Sequence, residues 1–125
     1  MSQTKPSIII TGLPHTHPAV AKIADPEQIR VMLEQTITEL RAAGYEDIEG
    51  IWIGPDDGTS KLVEALQSKH RHGLIIGAGV RKSDDLMFWM EELIRTAHAV
   101  SPKTQILFNT TPKDNLTAAG RLKLE

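Results

Sequence analysis

Short runs of apolar residues alternate along this chain with longer segments in which apolar residues recur every three or four positions. The run "SIIITG", residues 7–12, is β-branched and lacks polar alternation, which predicts a strand buried on both faces. "ADPEQIRVMLEQTITELRAAG" then predicts a helix. Asp25 stands at its cap, Pro26 in its first turn and Gly44 at its end, and Ile29, Leu33, Ile37 and Leu40 make its core stripe. Residues 46–54, "EDIEGIWIG", alternate more and predict an edge strand. A helix follows over about 59–69. "GLIIGAG", residues 73–79, has no polar residue and predicts a central strand. Ser83 is placed to cap a third helix over 84–100, where Asp84 and Asp85 meet the positive end of its dipole. "TQILFNT", residues 104–110, is the fourth strand, and "TPKDNLTAAGRL" a last helix with Pro112 in its first turn.

The alternation reads βαβαβαβα with no linker or repeat. Right-handed crossovers then give a parallel four-stranded sheet, in the order 2-1-3-4, with helices on both faces. The expected fold is a three-layer α/β/α, flavodoxin-like (Rossmann-like) domain. The length of 125 residues suits one domain, residues 1–125.

Composition narrows the function classes. A formal net charge of -2 gives no global pull toward nucleic acid, and no apolar run approaches the length of a membrane span. The absence of cysteine excludes disulfides, thiolate nucleophiles and cysteine-ligated metal centres. "MSQTKPS" lacks the apolar core of a signal peptide, so a cytoplasmic protein is expected.

In its order of elements the chain resembles flavodoxin-like and response-regulator-like domains, one strand and one helix short of them. The motifs that carry their activities are not matched. A response-regulator receiver has acidic residues after strand 1 and an aspartate at the end of strand 3, where this chain has Thr11-Gly12 and Gly77-Ala78-Gly79. The Thr110-Thr111 pair resembles the receiver's hydroxyl position. Flavodoxins carry a hydroxyl-rich phosphate loop after strand 1, which "TGLPHTHP" matches poorly. The segment "IIGAGVRKSDDLMFWMEELI…ILFNTTP" is similar to small uncharacterised bacterial proteins of this fold, a resemblance that implies no activity.

In an open parallel sheet, ligands bind beyond the carboxyl ends of the strands where strand order reverses, here between strands 1 and 3. The loops "GLPHTHP" and "GAGVRKSDD" flank that point, joined by Asp56 and Asp57 after strand 2 and by Asn109, Thr110 and Thr111 after strand 4. His15 and His17 are the candidate acid or base residues, since imidazole titrates near neutral pH. Their His-x-His spacing would serve a metal-dependent hydrolase only if a carboxylate such as Asp57 completed the ligand set, and no metal is assigned. "GAGVRK" joins two glycines, a helix start and two cations, the ingredients for holding a phosphate or carboxylate. Gly12, Gly77, Gly79, Arg81, Lys82, Asn109 and Thr110 are therefore the candidate ligand-binding residues, with Arg81 the expected main charge. Lys82 stands where a dinucleotide fingerprint needs its third glycine, which argues against NAD, and no sequence motif identifies a cofactor. Lys69, His70, Arg71 and His72 lie at the opposite edge and read as structural, and His98 as solvent-facing. The leading expectation is a binder of an anionic small molecule, the rival an interaction or oligomerisation subunit without a catalytic site.

The third helix carries the rival's signal. Its core stripe is Leu86, Met90, Leu93, Ala97 and Val100, which leaves Phe88 outward, with Met87 and Ile94 widening the apolar surface on one side and Trp89 on the other. With strand 4 left at an edge of the sheet, a homodimer through this helix is expected. Replacing Phe88 with Asp should shift the mass measured by light scattering toward monomer at unchanged helix content. A parent protein that is already monomeric at micromolar concentration would refute the dimer.

Overall fold

Four strands form where the apolar runs stand, and the reason is visible in what covers them. In the computed structural model, which describes residues 6–22, 24–110 and 113–123, β1 (Ser7–Gly12) pairs in parallel with β2 (Asp47–Trp52) on one side and β3 (Gly73–Ile76) on the other. β4 (Gln105–Phe108) pairs in parallel with β3, and the sheet order is β2-β1-β3-β4. The two strands without polar alternation are thus the two interior ones.

Helices cover both faces. On one face, α3 (Ser60–Ser68) and α5 (Met87–Val100) pack Leu62, Leu66, Trp89 and Leu93 against Ile9, Leu74 and Ile76. On the other, α2 (Pro26–Ala42) and α6 (Asn115–Gly120) pack Leu40, Ala118 and Ala119 against Ile8, Ile10, Ile75 and Leu107. Alternate residues of β1 serve opposite faces, as the strand period requires. Gly44, at a φ of 103°, ends α2 in the left-handed conformation that glycine tolerates best. Among the described residues no helix is long and apolar enough to cross a membrane.

Several elements differ from the expected bounds. β3 stops at Ile76 instead of reaching residue 79, because Gly77 leaves the strand and the chain turns at once into a one-turn helix, α4 (Ala78–Arg81). Another single turn, α1 (Pro18–Ala21), occupies the loop after β1. Ser83 precedes a 3₁₀ turn, Asp84–Leu86, that leads into α5, and its side chain makes no capping bond. α6 begins at Asn115, while Pro112 lies outside the described residues. Trp89 is core, and Ile94 is half-buried against the core, so it belongs to the packing of α5 rather than to its free surface. Met87 and Phe88 do face outward, 55% and 59% exposed.

The amino edge of the sheet is closed by charge. Arg71, expected as a structural cation at a helix C-terminus, is only 2% exposed. α3 has already ended at Ser68, and the guanidinium turns inward to donate to Ser7 Oγ and the Ala65 carbonyl while pairing with Glu49 at 2.6 Å. A buried cation is tolerable only with such partners. His72 sits beside it, its Nδ1 accepting the Ser7 N–H at 2.9 Å. Burial pushes the His72 imidazole below its usual range, neighbouring His70 adds to the effect, and Asp47 opposes it.

A His held neutral in the fold stabilises above the pKa of the unfolded state, near 6.5. Below that value the unfolded chain takes up the proton first and the contribution is lost. Urea midpoints should therefore fall between about pH 7 and about pH 5, and fall less in His72→Gln. Equal pH dependence in both proteins would remove His72 from the account.

Candidate functional site

β1 delivers the chain to the carboxyl edge through Thr11, whose buried hydroxyl donates to the Ile51 carbonyl at 2.9 Å and pins β1 to β2. Beyond Leu13 the chain turns, with the His17 N–H donating to the Pro14 carbonyl. His17 then caps α1, its Nδ1 accepting the Ala19 N–H at 3.1 Å. That bond places the proton of the neutral ring on Nε2. The ring lies against Gly54, where a Cβ would stand 3.0 Å from His17 Cδ2, so the glycine is what lets it approach. The Gly54 N–H in turn donates to Asp57 Oδ2 at 2.8 Å.

On the other side of the reversal, Gly77 passes close to β1, and a Cβ there would meet the Thr11 carbonyl oxygen at 3.4 Å. The next amide, Ala78 N–H, donates to Asn109 Oδ1 at 2.8 Å. Asn109 Nδ2 donates to Asn115 Oδ1 at 2.8 Å, and Asn115 Nδ2 to Thr36 Oγ1 at 3.0 Å. All three side chains are buried. The chain of bonds runs from α4 through the end of β4 and the start of α6 to the middle of α2. Arg81 donates to the Asn109 carbonyl at 2.8 Å and lies 5.8 Å from the centre of the Phe108 ring. Lys82 Nζ donates to the Thr110 carbonyl, and Thr110 donates both its N–H and its hydroxyl to Asp114.

Between these loops opens a crevice of about 720 Å³ at the carboxyl edge. Of the residues expected there, Gly12, His17, Gly77, Gly79, Lys82, Asn109 and Thr110 line it. His15 and Arg81 do not. His15 stands near Glu27 at the start of α2, where its charge adds slightly to the effect of Arg30, whose hydrogen bond holds the Glu27 carboxyl below its usual range. Asp56 and Asp57 also lie off the lining. Among the described residues no three His, Asp or Glu side chains are grouped to hold a metal.

Sequence reasoning missed the walls. Trp52, Ile29, Leu33 and Val20 supply apolar surface, and Lys22 a second cation. It also missed Thr36 and Asn115. Thr36 had a signal, since it falls between Leu33, Ile37 and Leu40 on the buried stripe of α2, where a lone hydroxyl needs a partner. No family model, curated protein or solved structure matches the chain.

Asn115→Ala should strip Asn109 Nδ2 and Thr36 of a buried partner and cost about 1–3 kcal/mol in urea unfolding. The double variant His15→Ala, His17→Ala should cost only about 1 kcal/mol, the loss of one cap. A reversal of that ranking would place the structural weight in the histidine loop.

Proposed function

We propose that the protein binds an anionic small molecule in the crevice between β1 and β3. The observation that carries this is the convergence, at the point where strand order reverses, of a crevice, two glycines of its lining and a lysine. Lys82 takes the role first expected of Arg81, which lies off the lining and donates through Nη2 to the Asn109 carbonyl. Gly77 and Gly79 keep side chains from crowding the wall. Any proton transfer falls to His17, which presents Nε2 while Nδ1 is held by its cap. His15, away from the lining, has no part in it.

A second reading is favoured by one observation. Met87 and Phe88 are adjacent and more than half exposed at the start of α5. A surface of this kind serves self-association or another protein partner, and it does not compete with the crevice for residues.

Titrating sodium acetate or phosphate at constant ionic strength should shift the backbone amide NMR signals of Gly77, Gly79 and Lys82 saturably, and Lys82→Ala should weaken that response severalfold. Signals of His70 and His72, at the opposite edge, should stay in place. Identical titrations of parent and variant would refute an anion site built on Lys82.

A further inference from the structure

The crevice is not uniform from end to end. Strand order puts Trp52 at the end of β2 together with Ile29 and Leu33 of α2, whereas Lys82, Asn109 and Thr110 gather beyond β3 and β4. The indole of Trp52 lies back across Gly50, where a Cβ would collide with the ring at 2.5 Å, and extends toward Gly12 of β1. A broad apolar wall thus faces one half of the cavity, and a polar group stands at the other.

Part of the polar half is already paired. Asn109 Oδ1 is spent on the Ala78 N–H, and the amide hydrogen that would otherwise open the α4 turn to a phosphate is spent with it. Thr110 gives its N–H and hydroxyl to Asp114. Lys82 uses one ammonium hydrogen on the Thr110 carbonyl, which leaves two for a ligand. The charged lining residues are Lys22, Lys82 and Asp85, a net of one positive charge. A single net positive charge among largely apolar walls matches one carboxylate. It does not match a polyphosphate, whose several negative charges would exceed it.

Resting on the reading that the crevice binds anions, we infer that its ligand is a monocarboxylate with an apolar body, an acyl-chain or aryl acid. Its body lies along Trp52, Leu33 and Ile29, and its carboxylate is drawn to Lys82. Burying a methylene is worth about 0.8 kcal/mol, or about fourfold in affinity, so affinity rises with chain length until the apolar half is filled.

The test is an NMR titration of the parent protein with sodium acetate, butyrate, hexanoate and octanoate below micelle formation, with 1-octanol and inorganic phosphate as comparators. The expected result is affinity that climbs about two- to fourfold per methylene, octanoate bound at least about tenfold more tightly than phosphate or 1-octanol, and shifts at the Trp52 indole N–H together with those at Lys82. In Lys82→Ala the preference for octanoate over 1-octanol should vanish, and in Trp52→Phe the dependence on chain length should flatten. Phosphate binding as tightly as octanoate, with no effect of chain length, would overturn the ligand class and leave the anion site standing. Equal binding of octanoate and 1-octanol, or no binding by any probe, would overturn both. The chain-length series on the parent protein decides the matter even if Trp52→Phe fails to fold.

Discussion

Two asparagine side chains, Asn109 and Asn115, hold together the four pieces of chain that make the carboxyl edge. Each uses its carbonyl as acceptor and its amide as donor, so the pair relays a hydrogen bond from the α4 turn to Thr36 in α2. Buried from water, these bonds are strong when complete and costly when broken. The relay fixes where β3 turns away from the sheet, and that turn is one wall of the crevice. Shape at this edge is therefore set by polar pairing, while the layers beneath it are set by apolar packing.

The two ends of the sheet are built on opposite terms. At the amino end Arg71, Glu49, Asp47, Ser7 and His72 close upon one another and fill the space between β1, β2 and β3. At the carboxyl end the polar side chains pair sideways, along the floor, and leave an open volume above apolar walls. A parallel sheet aligns its strands so that loops of one kind gather at each end, which lets one end secure the fold while the other is left open for a ligand.

The strand order was legible because burial on two faces and on one leave different patterns: unbroken β-branched runs for β1 and β3, alternation for β2. The position of the crevice followed from that order. The short turns were not legible, since four residues of α1 or α4 are too few to show a helical period. Arg71 was read as structural for the favourable field at a helix C-terminus, but its partners were not legible, since only the fold brings Glu49 and Ser7 to it. Arg81 was read as a ligand group for the charge it carries, but its partners, the Asn109 carbonyl and the Phe108 ring, come from a strand distant in sequence. Ile94 was placed on the free face by its angle around the helix axis, which says nothing of how far the neighbouring core reaches.

β1 precedes both strands it pairs with. The bond from Thr11 to Ile51 spans 40 residues and that from Ser7 to His72 spans 65, so neither edge of β1 is satisfied by nearby sequence. Closing such loops costs entropy before any pairing repays it, and parallel sheets accordingly form late. During synthesis the Ile8-Ile9-Ile10 run leaves the ribosome well before β2 and longer still before β3, with its backbone groups unpaired and its side chains wet. The segment that ends most deeply enclosed is thus the one that spends longest without a neighbour, and mispairing between nascent chains would begin there.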